Sequence, residues 1–226
     1  DQWWRLVGDP QLTQLIEEGL ANSPQTAIAM ARIRRADAEA QRVGAARLPT
    51  VGGEAEGGLR RQSGNNGIPA QFLPDGWADY GQASLSFDFD LDLWGRNRAA
   101  YAAATSGARA AVVDAAQARL VLSVAITAAY AELGRHYRER DNAEAVLVNR
   151  RAALALVAER ERNGLDNRIG LRRAEAELAS AEQDMAAVDE SIALRRNQLA
   201  ALVGAGPDRG RTITSAPLFP STPLGI

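Results

Sequence analysis

The chain has 226 residues, of which 46% are hydrophobic and only 5% aromatic, and its formal net charge is −2. This charge balance lacks the basic excess that is typical of a nucleic-acid-binding protein. Cysteine is absent, which excludes disulfides, zinc–thiolate sites and cysteine nucleophiles within these residues. Because alanine is abundant and aromatic residues are scarce, the composition favours closely packed helices over a core of large side chains.

Two helices are predicted near the beginning of the chain. The first covers residues 9–22, where Asp9 and Pro10 form a favourable N-cap and first-turn pair and apolar residues recur at helical spacing. The second covers residues 23–47 and ends before Pro49, because the residue that precedes a proline is pushed towards extended geometry.

Two runs of alternating residues follow, and a period of two is typical of β-strands. In the first run, small and apolar residues share one face: Val51, Gly53, Ala55, Gly57 and Leu59. In the second run, the apolar face carries Leu85, Phe87, Phe89, Leu91 and Leu93, and the other face carries Ser86, Asp88, Asp90 and Asp92. Residues 61–79 contain the proline, glycine and asparagine that mark a loop. We therefore predict a hairpin of two strands.

The segment from residue 97 to residue 163 contains no proline and is predicted to form one helix, about 100 Å long. Its longest apolar run, residues 120–133, is shorter than the ~18 residues of a transmembrane helix. We therefore expect any membrane crossing to use the strands. Asn163 and Gly164 supply a stop signal at the end of this helix.

The last predicted helix covers residues 166–203 and shows the heptad repeat of a coiled-coil seam. The repeat positions are Leu171, Leu178, Met185, Ile192 and Leu199, and three residues beyond them lie Ala174, Ala181, Val188 and Leu202, with Arg195 as the exception. This helix and the helix at residues 23–47 together measure about 94 Å, close to the length of the long helix. We therefore expect a rod with the strand hairpin at one end and Gly164 at the other.

Four groups of residues occur in an order that is similar to a known family. They are Trp3-Trp4 with Asp9-Pro10 and the spacing Ala27, Ala31-Arg32, Ala36; then Asp90-Leu91-Asp92-Leu93-Trp94-Gly95-Arg96; then Asn163-Gly164-Leu165 with Arg173-Ala174-Glu175-Ala176-Glu177-Leu178; and Leu199-Ala200-Ala201-Leu202-Val203-Gly204. Together they resemble the outer membrane factors of tripartite efflux pumps, of the TolC and OprM/NodT type, across essentially the whole chain.

The resemblance implies a homotrimeric channel whose subunits each contain two similar halves. Twelve strands close a barrel in the outer membrane, and the helices form a periplasmic tunnel. This chain resembles the N-terminal half, so we expect a leader and an anchoring segment before Asp1 and a second half after a linker at residues 217–223. The family's lipid-anchoring cysteine is not among these residues. The implied partners are a periplasmic adaptor (membrane fusion) protein and an inner-membrane pump.

We therefore predict a mainly α fold of long antiparallel coiled-coil helical hairpins, with a two-stranded β-hairpin that contributes to an oligomeric outer-membrane β-barrel. The predicted parts are the N-terminal helices at residues 1–48, the β-hairpin at 49–96, the long helical hairpin of the periplasmic α-barrel at 97–204 and a proline-rich linker at 205–226.

On this interpretation the two faces of the second strand differ in their surroundings. The residues expected to face the water-filled lumen are Asp88, Asp90 and Asp92, and those expected to face lipid are Leu85, Phe87, Phe89 and Leu91. The aromatic residues expected near the membrane interfaces are Trp77, Tyr80 and Trp94. Two alternatives are a metal site, which lacks the glycine turn of a calcium loop, and a soluble sheet, for which two strands are too few.

The resemblance implies that the turn between the two long helices contacts the adaptor. The expected contact residues are Arg160, Asn163, Gly164, Leu165, Asp166 and Asn167. Leu165 is apolar at an exposed turn, which suits an interaction site. The alternative is an ordinary helix end, in which Leu165 folds back on its helix.

The main prediction is an outer-membrane channel subunit for small molecules, with no cofactor, no metal and no nucleic-acid partner. The alternative is a soluble coiled-coil scaffold, which the heptad repeat supports but which has no use for the strand hairpin. We do not expect an enzyme, because the single histidine, His136, has no nucleophile or acid constellation around it in the sequence. A packing or solvated role on the helix is predicted for it.

Overall fold

In the computed structural model, which describes residues 2–63, 65, 67–73 and 76–215, helices dominate and two strands form a hairpin. The helices are α1 (Pro10–Asn22), α2 (Pro24–Ala45), α3 (Arg96–Arg162), α4 (Arg168–Leu202) and α5 (Pro207–Arg211), and the strands are β1 (Thr50–Arg60) and β2 (Ala78–Asp88). Two short 3-10 helices cover Trp3–Val7 and Ala70–Phe72. The predicted mainly α fold is confirmed. The predicted linker at residues 217–223 lies outside the described residues.

The helix ends follow the capping signals in the sequence. Asp9 is the N-cap of α1, and its Oδ1 accepts hydrogen bonds from the backbone N–H groups of Gln11 at 2.8 Å and Leu12 at 3.1 Å. Asn167 caps α4, because its Oδ1 accepts from the N–H of Gly170 at 2.9 Å. These side chains satisfy backbone donors that have no partner inside the helix.

Helix α3 is continuous over 67 residues, and its ends lie within one residue of the predicted ones. Among the described helices, α3 contains an 18-residue stretch with a mean hydropathy of 1.5, so by length and composition alone it could cross a membrane. The expectation that no uninterrupted apolar run reaches this length is correct, because every 18 consecutive residues of α3 include at least one charged residue. Helix α3 also supplies residues of the hydrophobic core, and the core helix of a soluble protein can have the same length and mean hydropathy.

The chain divides into two compact units, Asp1–Arg32 with Val112–Ile226, and Ile33–Ala111. The first unit contains a hydrophobic core to which α1, α3 and α4 contribute. Its buried members are Trp4, Leu12, Leu15, Ile16, Leu122, Ile126, Ala129, Tyr130, Leu133, Ile192, Leu199, Val203 and Ile213. The second unit contains the strand hairpin, where Gly44 and Arg47 also pack against the ring of Tyr101.

Within the first unit, α3 and α4 run antiparallel, and arginines of α3 pair with acidic residues of α4. Arg140 lies 2.8 Å from Asp189 and Arg150 lies 2.8 Å from Glu177. The heptad positions of α4 are all buried or half-buried, including the exception, Arg195. The predicted coiled-coil seam is therefore confirmed. Exposed ion pairs contribute little to stability, so apolar packing along the seam is the larger effect.

Two glycines allow the helices of the first unit to approach closely. A Cβ atom on Gly19 would lie 2.7 Å from Cδ1 of Ile126, and a Cβ atom on Gly204 would lie 2.7 Å from the carbonyl oxygen of Asn22. Gly204 also has a φ of +76°, a left-handed conformation that glycine adopts without strain. The end of α4 thus packs directly against the end of α1.

The short helix α5 was not predicted, because five residues carry no periodic signal and the segment was assigned to a linker. Arg209 of α5 forms an ion pair with Glu18 of α1. Its Nη2 donates to Oε2 of Glu18 at 2.9 Å, and its Nε donates to the same oxygen at 3.0 Å. Beyond α5, the N–H of Thr214 donates to Oε1 of Gln11 at 3.1 Å. Residues 207–214 are therefore part of the first compact unit.

The candidate functional site: a two-faced hairpin and a helix turn

The strands β1 and β2 pair antiparallel from Thr50 opposite Asp88 to Arg60 opposite Ala78, and opposed residues share a face. One face, here called the apolar face, carries Val51, Gly53, Ala55, Gly57, Leu59, Asp79, Gly81, Ala83, Leu85 and Phe87. The other, here called the polar face, carries Thr50, Gly52, Glu54, Glu56, Gly58, Arg60, Ala78, Tyr80, Gln82, Ser84, Ser86 and Asp88. The pairing thus places the apolar residues of both alternating runs on the same face of the hairpin.

Within the described chain, the apolar face of the hairpin is not covered. Leu85 is 81% exposed, Phe87 69% and Val51 63%. A two-stranded sheet with both faces exposed is marginally stable at best in water, and large exposed apolar patches mark interaction or membrane surfaces. An apolar environment would stabilise these exposed side chains, and it must come from outside the described residues.

Strand β2 ends at Asp88, five residues before Leu93, the last residue of the predicted strand. Phe89, Asp90, Leu91 and Asp92 were expected in the strand, and that expectation is wrong because β2 ends at Asp88. Asp88 is opposite Thr50, and before Thr50 lies Pro49, which has no N–H to extend the ladder. Phe89 and Leu91 are exposed side chains beyond the paired strand. At its other end β2 begins at Ala78, inside the predicted loop.

The carboxylates of Asp90 and Asp92 organise the entry into α3 instead of lining a strand. Oδ1 of Asp92 accepts from the N–H of Asn97 and Oδ2 from the N–H of Arg98, both at 2.9 Å. Oδ1 of Asp90 accepts from the N–H of Asp92 at 2.9 Å, and its Oδ2 accepts from Nδ2 of Asn97 at 2.9 Å. Asp92 has a φ of +46°, which aspartate tolerates better than most residues.

These hydrogen bonds favour the charged forms of both carboxylates. The N–H of Asn97 lowers the pKa of Asp92, with a further contribution from the N–H of Arg98. The N–H of Asp92 lowers the pKa of Asp90, followed by the side chain of Asn97. A carboxylate whose pKa is lowered by folding stabilises the fold above its unfolded pKa, and this contribution is lost as the pH falls through the folded pKa.

We expect Asp92→Asn to loosen the first turn of α3 at neutral pH, because a neutral amide oxygen is a weaker acceptor for the N–H groups of Asn97 and Arg98. Hydrogen exchange of those two amides should be faster in the variant at pH 7. In the unsubstituted protein, their protection should fall only when the pH drops below the usual range of an aspartate, and the variant should lose this pH dependence. Equal protection at pH 7 would contradict the capping role.

The three candidate aromatic residues differ in position. Trp77 is 68% exposed just before β2, and Trp94 is 92% exposed in the turn between β2 and α3. Tyr80 lies on the polar face opposite Gly58, where a Cβ atom would be 3.2 Å from Cε1 of its ring. The guanidinium carbon of Arg60 lies 5.3 Å from the centre of the same ring. Tyr80 therefore covers a glycine on the polar face.

The turn between α3 and α4 closes with the hydrogen-bond pattern of a Schellman motif. The N–H of Leu165 donates to the carbonyl oxygen of Arg160 at 2.8 Å, and Gly164 has a φ of +71°. In such motifs an apolar residue after the glycine often packs on the helix, but Leu165 remains 70% exposed. Asp166 lies near Arg160, with 3.8 Å between Oδ2 and Nε, and Asn163 and Asn167 are exposed.

Two groups of side chains at these sites were not among the predicted site residues. Glu54 and Glu56 are neighbours on the polar face of the hairpin. They are two residues apart in the first alternating run, and this spacing could have indicated that they share a face. Ile169 is 79% exposed four residues after Leu165, so the turn carries an apolar pair.

His136 is buried on α3, and its Nδ1 lies 2.9 Å from Oε2 of Glu139, in keeping with the predicted packing role.

Comparison with known proteins places this geometry in a family. Residues 15–205 match the family model described as outer membrane efflux protein. The chain is 32% identical over 228 residues to the fusaric acid resistance protein FusA of Burkholderia cepacia, covering 99% of this chain and 42% of FusA. It is 29% identical to the pyoverdine export outer membrane protein OpmQ of Pseudomonas aeruginosa, covering 90% of this chain and 43% of OpmQ. It thus spans less than half the length of these relatives.

Solved structures share the fold. The outer membrane protein VceC of Vibrio cholerae superposes with a TM-score of 0.85 at 41% identity, over 95% of this chain and 52% of VceC. The CmeC outer membrane channel of Campylobacter jejuni superposes with a TM-score of 0.86 at 20% identity, over 96% of this chain and 46% of CmeC, which bears on the fold alone. The names of the relatives describe export and resistance, not catalysis. With its paired long helices, its two-faced hairpin and the family match over residues 15–205, the chain belongs to the outer membrane efflux protein family.

Proposed function

We propose that the chain supplies two strands and a helical hairpin to an outer-membrane channel of a tripartite efflux system, and that the channel extends into the periplasm. The observation that carries the proposal is the hairpin, whose Leu85 and Phe87 face outwards without cover while the opposite face is polar. Lipid on one side and water on the other would match both faces. A soluble scaffold, the alternative, offers no surroundings for the apolar face.

The hairpin must be completed by other strands if it is to lie in a membrane. Open strand edges are not tolerated in lipid, so two strands cannot cross alone. Eleven paired residues in each strand match the length of a tilted transmembrane strand, about 9–11 residues. Further strands from a longer polypeptide and from two more copies would close a barrel, and the greater length of FusA and OpmQ supports this arrangement. We therefore propose a homotrimer.

The surroundings of individual residues follow from the faces of the hairpin. We propose that Leu85 and Phe87 contact lipid and that Asp88 faces the lumen. Trp77 and Trp94 lie beyond the two ends of β2 and would sit at the two membrane interfaces, where amphipathic rings are preferred. Tyr80 shares its face with the acidic residues and would contact the water-filled lumen instead.

We propose that the turn at residues 160–167 contacts the periplasmic adaptor, which links the channel to an inner-membrane pump. The exposed Leu165 supports this role, because the turn is closed by backbone hydrogen bonds and does not need the leucine for packing. The transported compounds would be small molecules. FusA is named for fusaric acid resistance and OpmQ for pyoverdine export, so the class is broad.

We expect Leu165→Asp to reduce export without loss of the protein from the outer membrane, because a charge at the exposed turn removes apolar contact with the adaptor. The measurement is resistance and dye efflux in a host deleted for the gene and complemented with the complete gene product. Leu6→Asp, at a similarly exposed leucine of the N-terminal 3-10 helix, is the matched control and should leave export unchanged. Recovery of the unsubstituted protein in the soluble fraction, or no export in its presence, would contradict the proposed function.

A further inference from the structure

The first compact unit contains an open groove formed by the N-terminal 3-10 helix, α1 and α3. Its volume is about 900 Å³, which is within the size range of ligand sites in proteins. The 3-10 helix supplies Trp3 and Trp4 to its lining, and α3 supplies Gln117 and Arg119. All of these residues belong to one compact unit, so the groove does not depend on any contact between the two units.

The two tryptophans of the groove lack acceptors for their indole N–H groups. Trp4 is only 6% exposed, and neither its Nε1 nor that of Trp3 has a hydrogen-bond partner among the described residues. A buried donor without an acceptor destabilises a fold, and native proteins rarely leave one unpaired. The two rings meet at an angle of 80°, with 6.1 Å between their centres. They form an apolar corner whose donors need oxygen atoms from outside the described residues.

Side chains with planar polar groups complete the lining of the groove. Arg5 and Glu17 form an exposed ion pair, with 2.7 Å between Nη2 and Oε1. Gln117 and Arg119 are exposed, and in the part of the chain that the structure describes neither side chain takes part in a hydrogen bond or an ion pair. Because two arginines face one glutamate, the groove is positive. It therefore combines an aromatic surface with free donors, free acceptors and a cationic charge.

We propose that this groove binds a glycan strand of the peptidoglycan cell wall. The inference rests on the proposed function, which places the helices in the periplasm, where the cell wall lies. The C–H faces of sugar rings pack on tryptophan, and acetamido oxygens accept from indole N–H groups. Sugar hydroxyl groups both donate and accept, so they match the side chains of arginine, glutamate and glutamine. The carboxylates of the stem peptides complement the positive charge of the groove.

A protein segment is the other macromolecule that could occupy the groove. An apolar segment would cover the tryptophans but leave the polar groups of Gln117 and Arg119 without partners, which is unfavourable once water is excluded. A glycan strand satisfies the aromatic surface and the polar groups together. The composition of the groove therefore favours the glycan.

The test is cosedimentation of the complete gene product, purified in detergent, with isolated peptidoglycan sacculi. The unsubstituted protein should bind, and soluble glycan fragments released from sacculi by a muramidase should compete. Gln117→Ala combined with Arg119→Ala should weaken binding about tenfold, the effect of losing one or two hydrogen bonds. The matched control is Gln183→Ala combined with Arg138→Ala, which removes the same two exposed side-chain types outside the groove and should leave binding unchanged.

Labelling of a single cysteine tests whether the groove is open in the assembled protein. Gln117→Cys, in a segment that otherwise contains no cysteine, should react with a water-soluble maleimide in the purified oligomer. An excess of sacculi should protect it. A cysteine that does not react before sacculi are added would show that another part of the protein covers the groove, and this result would overturn the inference.

The remaining outcomes separate the glycan site from the function on which it rests. If the double variant and its control bind sacculi equally, or the unsubstituted protein does not bind them, the glycan site is refuted. Export by the same unsubstituted protein from the outer membrane would then leave the channel function standing. Recovery of the unsubstituted protein in the soluble fraction would overturn both.

Discussion

Replacing Leu85 by arginine is expected to prevent stable assembly of the protein in the outer membrane. Leu85 is 81% exposed on the apolar face and lies well inside β2. An arginine on the lipid side of a membrane strand costs up to about 2–4 kcal/mol at the centre of the bilayer and less towards the interfaces. In a homotrimer this cost occurs three times, so the assembled state is strongly disfavoured.

The matched control for Leu85→Arg is Ser84→Arg, which places the same side chain on the polar face one residue away. The amount of heat-resistant oligomer in purified outer membranes is the quantity to compare. We expect it to be near normal for Ser84→Arg and strongly reduced for Leu85→Arg. Equal amounts for the two variants would show that the faces do not have different surroundings.

The second large effect is expected for Gly204→Ala in the first compact unit. The added methyl group would lie 2.7 Å from the carbonyl oxygen of Asn22, and an alanine at a φ of +76° is strained as well. The left-handed conformation costs about 1–2 kcal/mol, and overpacking typically adds about 1–3 kcal/mol. The purified protein should therefore unfold at a clearly lower temperature when helix content is followed by circular dichroism.

The variant Gly164→Ala separates backbone strain from overpacking as causes of the lower unfolding temperature expected for Gly204→Ala. Gly164 has a φ of +71°, but a Cβ atom there has nothing within 4 Å. This variant should show the backbone strain alone and therefore a smaller decrease in the melting temperature. If Gly164→Ala were as destabilising as Gly204→Ala, the close packing between the ends of α1 and α4 would not be the main reason.

The helices could be predicted closely because their boundaries are marked by local chemistry. Asp9 before Pro10 and Asn163 before Gly164 act within one turn of the helix end, so no knowledge of the tertiary fold is needed. The heptad of α4 was equally clear, since burial in a helical hairpin repeats with a fixed spacing. The short helix α5 had no such repeat, and contacts with α1 and α4 that lie far away in sequence stabilise it.

Residues 85–88 of the second strand were predicted correctly, but both of its ends were wrong, because alternation alone does not show where the partner strand begins and ends. The pattern continues through Leu93, but the ladder stops at Asp88 since β1 begins after Pro49. The carboxylates of Asp90 and Asp92 look like strand residues in the sequence and cap α3 in the structure. Pairing register, a tertiary property, was also needed to place Glu54 and Glu56 on one face with Asp88.

We propose that the hairpin crosses the outer membrane with one face towards lipid and one towards water. The most direct measurement is labelling of single cysteines with a water-soluble maleimide in intact outer membranes, made possible by a segment without native cysteine. Cysteines that replace Gln82, Ser84 and Ser86 should be labelled, and those that replace Ala83, Leu85 and Phe87 should react only after denaturation. Equal labelling at all six positions would contradict the claim.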